Sequence, residues 1–193
     1  MGQAPGCLGI VYIRGWVMDK AKNYAGVVLA GGRSSRMGSN KAFLKYQGRF
    51  LIDHMMDILL KTGCTPVFIL GSVPGYNCVA DDKIFAGPAQ AISSFMHKKL
   101  AYPGFLVVPI DMPLLTSSIL YRLTTYPKGA YYKDCPLPAY IPQEPISAHL
   151  ISMHDLLDEL GASAVACDAG NELLMKNINT PNEWKEFTTS HEC

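Results

Sequence analysis

An alternation of short apolar runs with helix-like segments is the feature that most restricts the fold of this chain. Residues 25–30 (AGVVLA), 67–70 (VFIL) and 105–110 (FLVVPI) are nearly continuous apolar runs, the pattern of strands buried on both faces of a sheet. Residues 50–61 and 89–100 instead fit helices. Strands that alternate with helices predict right-handed βαβ units. We therefore predict an α/β chain with three α/β/α layers and a mostly parallel sheet.

The second half of the chain carries weaker signals for shorter elements. We expect a short helix that Thr116 opens, and two edge strands within the Tyr- and Pro-rich residues 129–142. Residues 146–160 have an amphipathic helical pattern, and residues 163–167 read as a strand. Residues 180–183 (TPNE) combine a capping threonine, a proline at the first helical position and a capping-box glutamate, so they predict the start of a last helix.

Composition limits the classes of protein to which the chain can belong. Its 193 residues suit one domain, and 49% hydrophobic with 17% charged residues excludes a disordered chain. A net charge of +1 argues against a general nucleic-acid binder. The six cysteines are scattered and form no C-x-x-C pair, which favours reduced thiols and a cytoplasmic location. No apolar stretch reaches the ~18 residues of a membrane helix, so we expect no membrane partner.

The first residues do not share the pattern of the rest. We interpret residues 1–22 as an N-terminal tail that is disordered or that precedes the true start, with Met18 as the candidate initiator. Residues 23–193 are then predicted to form the single domain.

A glycine-rich loop follows the first predicted strand. In residues 29–41 (LAGGRSSRMGSNK), the paired glycines Gly31 and Gly32 let the backbone approach a ligand closely and turn its amides inward. Arg36 and Lys41 add cations. Amides and cations together suit the phosphates of a nucleoside triphosphate. The loop contains neither G-x-x-x-x-G-K-[ST] nor G-x-G-x-x-G, so a dinucleotide-binding oxidoreductase is not favoured.

Two further groups of polar residues fall where a ligand could meet them. Asp111 directly follows the third strand, and the carboxyl ends of parallel strands share one edge of the sheet. A carboxylate there could hold Mg²⁺ together with substrate phosphates, or it could cap the helix that begins near Thr116. Asn177 and Asn179 are two residues apart in an extended segment, so both amides face one side. They could bind a ligand or only satisfy a turn.

The glycine-rich loop resembles the L-A-G-G-x-S-x-R-M-G-x-x-K loop of nucleotidyltransferases, and within that superfamily the chain most resembles the molybdenum cofactor guanylyltransferases. Residues 48–54 (GRFLIDH) are similar to the G-x-P-L-x-x-H that follows that loop, and residues 109–113 (PIDMP) to its D-x-P. Gly87 and Pro88 match part of a G-P-x-x-G turn, and residues 177–181 (NINTP) match the late N-x-N-T-P. The resemblance covers about residues 25–187 and implies a Rossmann-like nucleotidyltransferase fold.

The resemblance also implies roles for individual residues. The nucleotide-binding residues would be Leu29, Ala30, Gly31, Gly32, Arg36, Lys41, Ser72, Asp82, Gly87 and Asp111, with Asp81 as the alternative to Asp82. The catalytic residues would be Arg36, Lys41 and Asp111, the metal ligand Asp111, and the acceptor-binding residues Asn177 and Asn179. The sequence departs from the family pattern at Ser72, where Asn is common, and at residues 135–136 (CP), where His-Pro is common.

The implied reaction is the transfer of GMP from GTP to molybdopterin that carries molybdenum, giving the guanine dinucleotide cofactor and pyrophosphate with Mg²⁺ as cofactor. The implied partners are therefore GTP and the molybdenum cofactor, with other proteins of cofactor biosynthesis as further candidates. Two alternatives stay open from the sequence. The chain could be a cytidylyltransferase or another nucleotidyltransferase of the same superfamily, or a cofactor-binding homologue without catalysis.

Overall fold

The computed structural model describes residues 11–13, 16–18, 24–31, 40–80, 87–147 and 152–191. The strands are β1 (Val11–Ile13), β2 (Trp16–Met18), β3 (Ala25–Ala30), β4 (Lys45–Tyr46), β5 (Arg49–Phe50), β6 (Val67–Gly71), β7 (Cys78–Val79), β8 (Gly104–Pro109), β9 (Ala130–Tyr132), β10 (Cys135–Pro142) and β11 (Ser163–Val165). The α-helices are α1 (Leu51–Thr62), α2 (Pro88–Lys98), α3 (Ser117–Leu123), α4 (Met153–Glu159) and α5 (Pro181–His191).

Seven strands form the central sheet, in the order β11-β9-β10-β8-β3-β6-β7. The pairs β3–β6, β3–β8, β6–β7 and β9–β11 are parallel, whereas β10 runs antiparallel to both of its neighbours. The predicted mostly parallel sheet is confirmed. The three apolar runs at residues 25–30, 67–70 and 105–110 form the adjacent strands β3, β6 and β8 of this sheet.

Helices cover both faces of this sheet. Successive residues of β3 point to opposite sides, because side chains alternate along a strand. Val27 packs in one buried cluster with residues of α2 and α4, and Val28 packs in another with residues of α1 and α3. The two clusters are the two halves of the core, which confirms the three-layer α/β/α prediction.

The prediction of two edge strands in residues 129–142 is wrong for both strands, since the shorter one, β9, lies between β10 and β11. The longer strand, β10, lies inside the sheet between β8 and β9. Prolines argue for an edge because they cannot donate to a ladder. Here Pro136 and Pro138 fall where the register with β9 shifts, between Cys135 and Ala139, and Pro142 is the last residue of the strand. The prolines therefore avoid most of the regular pairing.

The predicted helix over residues 146–160 is wrong at its start. Helix α4 begins at Met153, because the Ser152 side chain accepts from the Asp155 amide and the Asp155 carboxylate accepts from the Ser152 amide. Ile146 is buried in the same cluster as Met153 but lies outside the helix. A buried residue before the helix thus extended the helical pattern. Residues 148–151 lie outside the described part.

Within the predicted N-terminal tail, β1 and β2 pair as an antiparallel hairpin. The other residues of 1–22 lie outside the described ranges, and the domain boundary at residue 23 stays a prediction. In the described part of the chain, no helix is both long and apolar enough to cross a membrane.

Candidate functional site

The candidate site lies at the carboxyl ends of β3 and β8. From β3 the chain passes through α1 to β6 on one side, and it returns through β7 and α2 to β8 on the other side. In open α/β sheets, ligands bind in the crevice that such a change of direction leaves beyond the strand ends. The Ile110 amide donates to the Leu29 carbonyl at 3.2 Å, so the two strands stay joined up to this edge.

A short 3₁₀ helix, Lys41–Phe43, fixes the end of the glycine-rich loop. Asn40 caps it, since its side-chain oxygen accepts from the Ala42 amide at 3.0 Å. Ala42 is fully buried against α1 and the sheet. Lys41 therefore starts from a rigid part of the backbone, although most of the loop before it, residues 32–39, lies outside the described part.

Three predicted site residues meet at one point. The ammonium nitrogen of Lys41 donates to Asp111 Oδ2 at 3.0 Å and to Asn179 Oδ1 at 2.9 Å. The side chains of Lys41 and Asp111 are 13% and 21% exposed, so the ion pair is largely shielded but open on one side. The glycine-rich loop, the residue after β8 and the late N-x-N-T-P segment thus come together at the edge of the sheet.

The segment that carries Asn179 is fastened on both sides. The Ile178 amide donates to the Asp111 carbonyl at 2.9 Å, and the Ile178 side chain is buried. Glu183 Oε2 accepts from the amides of Asn179 at 2.6 Å and Thr180 at 3.1 Å, and these bonds hold the pKa of Glu183 below its usual value. The Glu183 amide also donates to Thr180 Oγ1 at 3.2 Å, so the predicted capping box is confirmed.

Asp111 does not cap the helix that follows it. Thr116 precedes α3, and its Oγ1 accepts from the Ile119 amide at 3.4 Å. The alternative interpretation of Asp111 as a helix cap is therefore wrong. Its carboxylate is turned toward Lys41 instead.

His54 is a residue of this site for which the sequence alone predicts no role. It lies on α1, and its Nε2 is 2.8 Å from the Pro113 carbonyl oxygen, two residues after Asp111. Burial lowers the pKa of this imidazole below its usual 6.5. Its place in the GRFLIDH segment was the available signal, but only the fold shows which loop it reaches.

The remaining predicted site residues surround this centre or lie outside the described part. Gly31 is exposed beyond β3, Ser72 is exposed beyond β6, and Gly87 has a φ of +92° immediately before α2. Leu29 and Ala30 end β3, and Asn177 is exposed two residues before Asn179. Gly32, Arg36, Asp81 and Asp82 lie outside the described residues, so their roles stay predictions.

The chemistry of the donors at this point fits a hard divalent cation. Asp111 Oδ2 and Asn179 Oδ1 both face one positively charged group, the Lys41 ammonium. Carboxylate and amide oxygens are ligands of Mg²⁺, which is usually bound by one or two carboxylates plus substrate phosphates. Among the described residues no cluster of three or more His, Cys, Asp or Glu could hold a metal by itself. A cation here would therefore depend on ligands from a substrate.

Comparison with known proteins places the chain in a family. Residues 26–160 match the MobA-like NTP transferase domain. The chain belongs to this family. It is 31% identical over 183 residues to a molybdenum cofactor guanylyltransferase of Xanthomonas euvesicatoria, a match that covers 88% of this chain and 97% of that protein. The chain is thus a nucleotidyltransferase of the predicted fold class.

Solved structures share the fold of this family member. The molybdopterin-guanine dinucleotide biosynthesis protein A of Archaeoglobus fulgidus matches with a TM-score of 0.65 and 17% identity, over 87% of this chain and 97% of that one. A protein of Mycobacterium tuberculosis, solved in complex with manganese, matches with a TM-score of 0.58 and 14% identity, over 88% of this chain and 100% of that one. At these identities, the two matches establish the fold alone.

Proposed function

We propose that this chain transfers GMP from GTP to molybdopterin-bound molybdenum cofactor, giving the guanine dinucleotide cofactor and pyrophosphate. The observation that carries the proposal is the contact of Lys41 with both Asp111 and Asn179, which brings the three characteristic segments of the sequence to one point. The molybdenum cofactor guanylyltransferase of Xanthomonas, similar over almost its whole length, supports the choice of nucleotide and acceptor.

The reaction needs no general base in the protein. The terminal phosphate of the acceptor is already an anion when it attacks the α-phosphorus of GTP in line, and pyrophosphate leaves. The obstacle is the repulsion between two highly charged anions, so catalysis comes from positioning and from charge neutralisation. The Lys41 ammonium belongs to a largely shielded ion pair that is open on one side, so it is suited to a phosphate oxygen that enters the crevice there.

Asp111 would hold Mg²⁺, with the side-chain oxygen of Asn179 as a neighbouring donor. When bound, Mg²⁺ supplies positive charge that polarises phosphate oxygens and offsets their repulsion. A protein of the same fold from Mycobacterium tuberculosis was solved in complex with manganese, which is also a divalent cation. Two features fix the direction of Asp111. The Ile178 amide donates to its carbonyl, and the buried strand β8 precedes it in the chain.

The other residues divide between nucleotide and acceptor. Amides of the glycine-rich loop, together with Arg36, would stabilise the departing pyrophosphate. The base and ribose would lie against the strand ends and the start of α2, contacting Leu29, Ala30, Ser72, Asp82 and Gly87. Asn177 and Asn179 would meet the acceptor, and the contact of Asn179 with Lys41 supports a role for its amide near the acceptor phosphate.

A nucleotide panel tests the proposal. Purified protein is mixed with molybdopterin-bound molybdenum cofactor and with GTP, CTP, ATP or UTP in turn, and pyrophosphate is measured with and without acceptor. We expect acceptor-dependent release that is fastest with GTP. Equal or faster release with CTP would make the chain a cytidylyltransferase. Acceptor binding without pyrophosphate from any nucleotide would make it a cofactor-binding homologue.

A matched pair of lysine variants connects the activity to the site. Lys41→Ala removes the ammonium at the centre of the contacts and should abolish most of the release. Lys45→Ala is the control. Lys45 is exposed, and its ammonium nitrogen lies 5.9 Å from the centroid of the Phe50 ring, so this variant should release pyrophosphate as the wild type does.

A further inference from the structure

His54 joins α1 to the Asp111 loop, which we define as residues 111–116. Its Nε2 lies 2.8 Å from the Pro113 carbonyl oxygen. A carbonyl oxygen can only accept, so Nε2 carries the hydrogen and donates it. The Pro113 carbonyl is thereby held in one direction from the helix side.

The imidazole ring is itself fixed in place. Tyr46 packs edge-on against it, with ring centroids 5.0 Å apart and an interplanar angle of 79°. Tyr46 is buried and packs in turn on Phe187 of α5. The next residue of α1, Met55, is fully buried in the core. His54 therefore presents its Nε2–H from a rigid support.

The Asp111 loop is held at two points that lie two residues apart. At the first point, the Ile178 amide donates to the Asp111 carbonyl at 2.9 Å. At the second, His54 donates to the Pro113 carbonyl. Met112 between them is buried, 1% exposed. Two hydrogen bonds on either side of a buried residue fix the backbone, and with it the direction in which the Asp111 carboxylate leaves the chain.

We propose that His54 is a positioning residue, which aims the Asp111 carboxylate at the divalent cation without touching cation or nucleotide. The inference rests on the proposed function, because it assigns His54 a part in cation use during nucleotidyl transfer. Groups that orient a metal ligand commonly change metal affinity or activity by 10–100-fold when they are lost.

Three substitutions separate the hydrogen bond from the bulk of the ring. The side chain of Gln places an amide nitrogen near the position of Nε2, so His54→Gln can keep the donor. The side chain of Asn ends near the position of Nδ1, so His54→Asn cannot reach Pro113, and His54→Leu has no donor. If His54→Leu does not fold, the Asn and Gln pair alone answers the question.

The matched control is His97 on α2. Its Nδ1 lies 2.7 Å from the Ser93 carbonyl oxygen, so it also bonds a backbone carbonyl, but on the helix that covers the other face of the sheet. His97→Leu removes a histidine–carbonyl bond without touching the Asp111 loop. It should leave the dependence on Mg²⁺ unchanged.

The first readout is the Mg²⁺ concentration at half-maximal pyrophosphate release, with saturating GTP and acceptor. We expect it to rise about tenfold in His54→Asn and His54→Leu, and to stay within about twofold of the wild type in His54→Gln. A merely structural role would lower the thermal midpoint of the variants and leave this concentration where it was. That result, or equal behaviour of the Asn and Gln variants, would overturn the proposal.

The second readout needs no activity. Mn²⁺ binding is followed by electron paramagnetic resonance in the presence of a non-hydrolysable GTP analogue, and amide exchange is measured on peptides that contain Ile178. Weaker Mn²⁺ binding and faster exchange are expected for His54→Asn, with both restored in His54→Gln. If the wild type releases no pyrophosphate, the proposed function fails, yet these two measurements still decide whether His54 positions Asp111.

Discussion

Gly71 and Gly31 lie against each other at the carboxyl ends of two neighbouring strands. A Cβ atom on Gly71 would stand 2.5 Å from the Gly31 backbone nitrogen, and Gly71 has a φ of +129°. Ala30, the last residue of β3, pairs with Gly71 in β6. The start of the glycine-rich loop is therefore set by the absence of a side chain on the neighbouring strand, a requirement that the loop's own sequence does not reveal.

Gly71→Ala should displace the start of the loop. The added methyl group collides with backbone rather than with a movable side chain, and the φ is unfavourable for alanine, so the stability loss should exceed about 1 kcal/mol. Displacement of the loop should lower turnover on the order of 10²-fold. The control is Gly75→Ala, which has a φ of +83° but open space around a Cβ. If both variants lose activity equally, backbone strain rather than contact with Gly31 is responsible.

The ion pair between Lys41 and Asp111 gives a second prediction. Asp111→Asn keeps size and hydrogen bonding but removes the charge, so it should lose most transfer activity at millimolar Mg²⁺ and need more Mg²⁺. Because the ion pair is partly exposed, the free energy of unfolding of Asp111→Asn should differ from that of the wild type by no more than about 1 kcal/mol. Thermal melts and Mg²⁺ titrations of activity measure the two effects.

Two variants complete that test. Lys41→Met keeps the length of the side chain without its charge and should slow turnover by ~10²–10³-fold. Asp57→Asn removes a carboxylate that pairs with Lys61 at 2.7 Å on the surface of α1, and it should leave Mg²⁺ dependence unchanged. A folded Asp111→Asn variant with full activity and unaltered Mg²⁺ dependence would remove Asp111 from the mechanism.

Much of the site could be predicted from sequence because parallel strands place their carboxyl ends together. Once residues 25–30 and 105–110 are strands buried on both faces, the loop after one and Asp111 after the other must share an edge. The contact of Lys41 with Asn179 could not be predicted by the same reasoning. It spans 138 residues and depends on the Ile178 amide bonding the Asp111 carbonyl, which leaves no mark in composition or periodicity.

The errors in the predicted fold also arise from contacts that the local sequence pattern does not show. Prolines in residues 135–142 indicate an edge strand, because a proline cannot donate a hydrogen bond to a neighbouring strand. A bond is lost only where a proline falls at a regularly paired position, and the register shift in β10 takes Pro136 and Pro138 out of such positions. The start of α4 was misplaced because burial of Ile146 imitated the helical period, while the Ser152 and Asp155 capping box was the better signal.

Glu183 gives a third prediction through its two hydrogen bonds to backbone amides. Glu183→Ala removes the acceptor for the amides of Asn179 and Thr180, so the segment that brings Asn179 to Lys41 should loosen and turnover should fall. Glu183→Gln keeps an oxygen acceptor and should retain more activity. Glu186→Ala changes an exposed glutamate one turn later on α5 and serves as the control. Steady-state kinetics would contradict this role if Glu183→Ala and Glu186→Ala behaved alike.

The pKa of His54 gives the last prediction, a dependence of stability on pH. Burial lowers this pKa below 6.5, the Arg49 and Lys61 charges lower it further, and the Pro113 carbonyl and Asp57 partly oppose them. The unfolded chain therefore takes up a proton near pH 6.5 while the folded chain does not. Because the unfolded state then binds more protons, the free energy of unfolding falls as the pH drops below about 6.5, until the folded pKa is reached. The lowered pKa values of Asp57 and Glu183 affect stability only at lower pH, below the ordinary range of carboxylates.

Urea unfolding at pH 7.5, 6.5 and 5.5 tests this prediction. The free energy of unfolding should fall more steeply with decreasing pH in the wild type than in His54→Gln, which keeps a donor but does not titrate. Parallel loss in the two proteins would mean that His54 is protonated equally well in the folded and unfolded states, and that its imidazole is not held neutral against Pro113.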